Sequence, residues 1–149
     1  MRITRLALAT TAIFISASAL ANAACENDAK TRDDFLACSK RDADKILSDS
    51  EKLYRSIRAL ASDGGRAELD KNYKIWNDKL KSDCSVIAYS FNEWRNDYTP
   101  DTDFQVSSCR AKIATQELEF YKWLACPDDM ETSKVPDCAA VRKVLSDRQ

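Results

Sequence analysis

The residues best suited to chemistry in this chain are six cysteines, and the chain has no histidine. They stand singly, without a CxxC pair, and a mixed zinc site would also need histidine ligands. An even number of dispersed cysteines is typical of a disulfide framework formed in an oxidising compartment. We therefore expect disulfides, and neither a metal nor another cofactor, at Cys25, Cys38, Cys84, Cys109, Cys126 and Cys138.

The pairing of these cysteines is open at the level of sequence, since six cysteines allow fifteen connectivities. Sequential pairing is favoured because each pair then brackets one connector or short terminal loop. In the chain-entropy model each such loop contributes about 3 kcal/mol to stability. The predicted pairs are Cys25–Cys38, Cys84–Cys109 and Cys126–Cys138.

Acid–base catalysis has little support in this composition. Without histidine the chain lacks the commonest general base and the middle member of Ser-His-Asp and Cys-His devices. Carboxylate pairs remain, but 24 acidic residues are spread along the chain. A pair such as Glu117 and Glu119 is therefore expected to be solvated helix surface. We expect a protein that is not an enzyme.

The best candidate for a binding element is the segment over residues 96–104, which lies between two of the cysteines. It carries Asp97, Tyr98, Asp101 and Asp103. A constrained loop of aromatic and acidic side chains suits protein binding, because ordering before binding reduces the entropy lost on association. An ordinary solvated loop is the alternative. A calcium site is a weaker one, since the spacing lacks an EF-hand pattern.

The N-terminus has the features of an export signal. Arg2 and Arg5 precede an apolar stretch, Leu6–Leu20, and small residues then suit cleavage after Ala23. The apolar stretch of about 15 residues is shorter than the roughly 20 that a membrane-spanning helix needs. The prediction is a signal peptide over residues 1–23 and a single domain over residues 24–149, without stable membrane insertion.

The residues around the predicted cleavage site also bear on where the cleaved chain is located. A lipoprotein acylated at Cys25 is disfavoured, because Asn22 stands where a leucine-like residue is preferred and five cysteines would remain. A periplasmic or secreted product is expected instead.

Without Arg2 and Arg5 the chain has 21 basic against 24 acidic side chains. This mildly acidic balance, with no basic tract, disfavours nucleic-acid binding.

The first helix is predicted from a capping signal. With only two glycines and three prolines, and no strand-like alternation, the chain is expected to be all-helical. Thr31 and Asp34 form a capping-box variant that opens a helix running to about Ser62. Its predicted core positions are Phe35, Cys38, Ile46, Leu53, Ile57 and Leu60.

Two more long helices follow from the apolar spacing. Gly64-Gly65 is expected to end the first helix and to begin the second, which should lie along the first as an antiparallel hairpin. A third helix is predicted from about Phe104 to Trp123. The second helix carries an apolar stripe that we interpret as core: Leu69, Tyr73, Trp76, Leu80, Cys84, Ile87, Phe91 and Trp94.

A polar connector after Cys126 should lead to a short helix in which Cys138, Val141 and Leu145 face inward. The predicted fold class is therefore all-α: a disulfide-stapled antiparallel bundle of three long helices plus a short C-terminal helix. The oligomeric state is left open by the sequence.

Several short blocks stand out over about residues 25–125: Thr31-x-x-Asp34-x-x-x-Cys38, Asp44 with Leu47, Trp76 with Asp83-Cys84, and Cys109 at the start of the next helix. Together they resemble the LprI-like lysozyme-inhibitor N-terminal domain family. The chain departs from that family's pattern at Glu51, Tyr73 and Leu80. The resemblance implies a small exported helical protein that inhibits lysozyme.

Two classes of function therefore stand side by side. An acidic inhibitor would be steered toward lysozymes, many of which are strongly basic, and would bind through the segment over residues 96–104. An envelope accessory or scaffold protein would instead bind another periplasmic protein through a helical face, for example beside Arg55 and Arg58. Association that weakens with salt favours the first class.

Overall fold

A computed structural model describes Cys25, residues 27–129 and residues 138–146. In these residues the chain forms three long helices, α1 (Arg32–Leu60), α2 (Asp63–Phe91) and α3 (Thr102–Ala125), followed by a 3₁₀ turn (Pro127–Asp129) and a short helix, α4 (Ala139–Ser146). The predicted fold class is confirmed. The predicted signal peptide and most of the connector before Cys138 lie outside the described residues.

The start of α1 forms as the sequence predicts. The Thr31 hydroxyl accepts a hydrogen bond from the Asp34 N–H at 3.2 Å, and the Asp34 carboxylate accepts one from the Thr31 N–H at 2.9 Å. Hydrogen bonds from the backbone N–H groups of Thr31 and Lys30 lower the pKa of Asp34. Two of the N–H groups left unpaired at a helix start are thus satisfied.

The break between α1 and α2 falls before the glycine pair, so the predicted boundary is wrong. Ser62 caps α2 by accepting a hydrogen bond from the Gly65 N–H at 3.3 Å, and Gly64 and Gly65 lie in the first turn with negative φ. The serine cap decides the start of the helix. Close packing explains Gly65, because a Cβ there would lie 3.3 Å from the Cβ of Ala61.

Helix α3 lies in the middle of the bundle. Both α1 and α2 pack along it, whereas α1 and α2 contact each other much less. At the end near Ser62 they are joined by stacked Tyr54 and Tyr73 rings, 4.3 Å apart, and by Asp70, which accepts hydrogen bonds from Tyr54 and Arg58. The Arg58 guanidinium lowers the pKa of Asp70 to about 2. The predicted α1–α2 hairpin is therefore closed at one end only.

The apolar core is concentrated at this same end. Tyr121 of α3 is fully buried and its hydroxyl donates to the Asn72 side chain at 3.1 Å. Helix α4 packs on α1 and α3 and buries Val141, as predicted. The buried members of the cluster are Leu53, Tyr121, Cys126 and Val141.

The three disulfides join the cysteines in the predicted sequential order. The Cα–Cα distances are 5.9 Å for Cys25–Cys38, 5.5 Å for Cys84–Cys109 and 5.7 Å for Cys126–Cys138. Three disulfides suggest an oxidising environment of the kind found outside the cytoplasm. Among the described residues, no helix combines the length and apolar character needed to span a bilayer.

Several of the core positions predicted for α1 and α2 are wrong, because their side chains are exposed in the structure. In α1, Phe35 is exposed and Leu60 is 89 % exposed, while Leu36 is buried instead. In α2 only Cys84 is buried, and the stripe beyond it is exposed at Ile87, Phe91 and Trp94. Because α2 rests mainly on α3, this second half of its apolar stripe is only partly covered, and exposure reaches 70 % at Trp94.

Candidate functional site

The connector between α2 and α3, together with the last turn of α2, forms what we call the tip, residues 89–101. Its two ends are joined by buried polar groups. The Asn92 amide donates to the Thr102 hydroxyl at 2.9 Å and to the Ala88 carbonyl at 2.8 Å, and the Thr99 N–H donates to the Thr102 hydroxyl at 3.2 Å. Asn92 and Thr102 are both buried. With the Cys84–Cys109 disulfide below, the tip is a constrained loop.

Three of the four predicted binding residues make contacts within the chain. Asp101 pairs with Arg32 at 2.7 Å, and the Arg32 guanidinium also lies 4.8 Å from the centre of the Phe104 ring. The Tyr98 hydroxyl donates to the Asp103 carboxylate at 2.6 Å, and this hydrogen bond raises the pKa of Tyr98. These contacts fasten the connector to the starts of α1 and α3.

The third predicted acid, Asp97, is exposed and lies apart from those contacts. It lines two shallow clefts of about 210 and 320 Å³, one beside Tyr89 and Tyr98 and the other beside Phe91 and Thr99. The predicted acids therefore lie in the tip and in the adjoining first turn of α3 without converging on one point. In the described part of the chain no group of three or more acidic, cysteine or histidine side chains is placed to hold a metal ion.

Trp94 is a residue of the tip that sequence reasoning assigned to the core. It is 70 % exposed and has a left-handed backbone conformation, with φ of 64°, directly after Glu93 with φ of 54°. Such a conformation costs roughly 1–2 kcal/mol for a residue other than glycine. The Trp94 N–H donates to the Tyr89 carbonyl at 2.8 Å, which closes the end of α2. Strained residues of this kind cluster at functional sites.

The tip thus carries four exposed aromatic rings among acidic side chains. Tyr98 is 63 % exposed, and the other three are Tyr89, Phe91 and Trp94. Exposed apolar patches rimmed by polar groups mark interaction sites, and tryptophan and tyrosine are enriched among the residues that dominate binding energy. These features make the tip the candidate binding surface.

A second unusual feature lies in the middle of the bundle. Glu117 is only 3 % exposed, so the expectation that it is solvated helix surface is wrong, whereas Glu119 is exposed. Neither the Oε1 atom of Glu117 nor the buried hydroxyl of Ser50, on α1, has a hydrogen-bond partner. Burial raises the pKa of Glu117 to about 7. Sequence spacing could not show this, because an acid at a core position of α3 gives no local signal.

The helical face beside Arg55 and Arg58, the other predicted binding surface, carries ion pairs within the chain. Arg55 pairs with Glu51 at 2.6 Å, and Arg58 pairs with Asp70 at 2.6 Å. A more open surface is the groove between α2 and α3, about 550 Å³, whose walls include Val86, Ile87 and Ile113.

No protein-family model, curated protein or solved structure matches the chain. The class of molecule that the fold and site define is a disulfide-stapled helical bundle with a constrained aromatic and acidic tip. The resemblance to the lysozyme-inhibitor family remains a prediction from the short sequence blocks.

Proposed function

We propose that this protein is an exported inhibitor, periplasmic or secreted, that binds a lysozyme through the tip and has no enzymatic activity of its own. The observation that carries the proposal is the set of four exposed aromatic rings in one short segment whose ends are fixed by Thr102 and by the Cys84–Cys109 disulfide. The choice of lysozyme as partner comes from the family resemblance.

The charge and rigidity of the tip suit such a partner. Glu93 pairs with Arg95 at 2.8 Å, so Asp97 supplies the unpaired negative charge beside the rings. A basic lysozyme would be attracted to it over a distance of about a Debye length. Because the loop is ordered before contact, less conformational entropy is lost on binding. In the proposed complex Trp94 and Tyr98 cover the saccharide-binding cleft, and the acids contact the basic surface around it.

The test is inhibition of cell-wall lysis by a panel of lysozymes, using oxidised residues 24–149. We expect inhibition that falls at least tenfold in Trp94→Ala/Tyr98→Ala, since each truncation at a binding hot spot costs about 2 kcal/mol. Ile75→Ala is the control, because Ile75 is an apolar residue that is 55 % exposed and lies on α2 away from the tip. Absence of inhibition by the unmodified protein across the panel would remove the proposal.

The contribution of the acids is measured separately. The triple variant Asp97→Asn/Asp101→Asn/Asp103→Asn should associate more slowly with a basic lysozyme and lose most of its salt dependence. A matched triple variant at exposed acids of α2, Asp63, Glu68 and Asp78, should change the rate much less. Inhibition that is retained in the tip variants would move the binding site elsewhere on the molecule.

A second candidate function has one observation in its favour. The groove between α2 and α3 leaves Val86 and Ile87 exposed beside Ile113, which suits an apolar helix of an envelope partner better than a basic enzyme. A scaffold protein that binds there would show little salt dependence. Ile87→Glu should then abolish binding while the double tip variant retains it.

A further inference from the structure

A row of side chains along α2, which we call the ridge, is only partly covered by the rest of the chain. Ile75, Lys79, Asp83 and Ile87 follow one another at steps of four residues, so they lie in one row on the helix surface. Ile75 is 55 % exposed and Ile87 is 39 % exposed. Lys79 and Asp83 pair with each other, and their side chains are 41 % and 42 % exposed. The ridge therefore carries two opposite charges between two apolar ends.

The ridge runs beside the groove between α2 and α3, whose volume is about 550 Å³. The α2 wall of this groove consists of Lys79, Asp83, Val86 and Ile87, and Val86 is exposed. Among the described elements α2 packs on α3 and, more weakly, on α1, so the groove is open to a further helix. Helices pack when the ridge of one enters a groove of the other. This side of α2 therefore has both parts of a helix-packing contact.

The order of side chains along the ridge is complementary to itself. When two copies of α2 lie antiparallel about a two-fold axis at the level of Lys81, residues equally far before and after Lys81 face each other. Lys79 then faces Asp83 of the second copy, and Ile75 faces Ile87 of the second copy. Each of these contacts occurs twice. Lys81 itself falls on the opposite side of the helix from the ridge, because about 3.6 residues make one turn.

We propose that the ridge binds a second copy of this protein through an antiparallel α2–α2 contact, with two Lys79–Asp83 ion pairs between the copies. The apolar ends supply the buried surface, and the ion pairs fix the register. A second copy suits the ridge better than a wholly apolar helix, because an apolar helix would leave Lys79 and Asp83 against side chains that cannot pair with them.

This self-association is independent of the proposed function. The contact ends at Ile87, before the tip begins at Tyr89, so both tips of the dimer remain free for a partner. Loss of the dimer would therefore leave lysozyme inhibition by each copy in place, and absence of inhibition would leave the dimer in place.

The test is the oligomeric state of oxidised residues 24–149, measured by sedimentation velocity at low salt from micromolar to millimolar protein. We expect a monomer–dimer equilibrium. Lys79→Asp and Asp83→Lys each place like charges opposite each other at both contacts, so each variant alone should associate at least tenfold more weakly. The control is Lys74→Asp, because Lys74 pairs with Asp78 at the same spacing on another side of α2, and it should leave the dimer unchanged.

Charge reversal also predicts a rescue. In an equimolar mixture of Lys79→Asp and Asp83→Lys, opposite charges again face each other at both contacts of the mixed dimer. The double variant Lys79→Asp/Asp83→Lys restores them between two identical copies. We expect both samples to recover the dimer. A merely structural role of the ion pair within one copy would not produce recovery on mixing, since each chain of the mixture still carries only one of the two changes.

Three results would overturn the proposal. The first is an unmodified protein that stays monomeric at all concentrations, which would leave the groove to an apolar helix of an envelope partner. The second is a dimer that both single variants retain, which would place the contact elsewhere. The third is a mixture of the single variants, both helical by circular dichroism, that remains monomeric.

Discussion

Glu117 shows how strongly position governs the behaviour of a single residue. Glu119 lies two residues further along the same helix and is exposed. Glu117 is 3 % exposed, and burial raises its pKa from 4.5 to about 7. Between these two values the folded state binds more protons than the unfolded state. The stability contribution of Glu117 is therefore complete below about pH 4 and is lost as pH rises through about 7.

The variant Glu117→Gln should reveal this loss, because an amide does not ionise. Relative to the unmodified protein, the variant should gain about 1–3 kcal/mol in free energy of unfolding between pH 5 and pH 8. Urea unfolding at the two pH values measures the difference, with Glu119→Gln as the control that should show no such change. If the free energies of unfolding of Glu117→Gln and of the unmodified protein differed by the same amount at both pH values, Glu117 would be paired or solvated in solution.

Trp94 tests whether the tip holds a strained backbone. At a left-handed position glycine is favoured over alanine by about 1 kcal/mol, whereas inside a helix alanine is favoured by a similar amount. We expect Trp94→Gly to be more stable than Trp94→Ala, and the order to reverse for the same two substitutions at Ser85, an exposed position of α2. Thermal unfolding provides the comparison. The same order at both positions would contradict the left-handed assignment.

At the scale of the elements, α2 depends on its disulfide. It buries only Cys84 and packs mainly on α3, so the link to Cys109 replaces part of the packing that a covered helix would have. Removing this disulfide in the variant Cys84→Ala/Cys109→Ala should lower the free energy of unfolding by about 3 kcal/mol. Removing Cys25–Cys38, which closes a shorter loop at the chain end, should cost less. Urea unfolding of both variants compares them, and an equal or larger loss for the terminal pair would contradict this role of α2.

The elements also show what sequence reasoning can and cannot reach. The capping residues Thr31 and Asp34 act locally, so the start of α1 was predictable. The start of α2 was missed because a serine cap at Ser62 outweighed a glycine pair. The sequential disulfides follow from short loop lengths. Periodicity indicates that a helix has an apolar face, but not which neighbour covers it, and so Phe91 and Trp94 were assigned to a core that does not reach them.

Across the whole molecule, packing is uneven from one end to the other. Apolar residues such as Leu53 and Tyr121 fill the end that carries α4, whereas the half toward the tip buries Ser107 and Thr102 in polar contacts. The candidate acids were predictable because they are close together in the sequence. The exposure of Phe91 and Trp94 and the burial of Glu117 were not, because each depends on which neighbour covers a given face of a helix.

This gradient predicts uneven local stability. Regions with few buried apolar contacts open more readily, so their amides exchange faster with solvent. We expect the amides over residues 86–91 of α2 to exchange at least tenfold faster than those around Leu53 and Tyr121 under native conditions. Hydrogen exchange followed by NMR measures both sets in one sample. Uniform protection along α2 would show that its second half is covered in solution.

The most direct test of the proposed function is the exchange footprint of a complex. Hydrogen–deuterium exchange, followed by mass spectrometry, is measured on the oxidised protein alone and with a saturating basic lysozyme that it inhibits. Protection should appear over residues 89–98, including Trp94 and Tyr98, and should be absent from the end that carries α4. Protection confined to α1 or to the groove beside Ile87, or no protection with any lysozyme tested, would contradict binding through the tip.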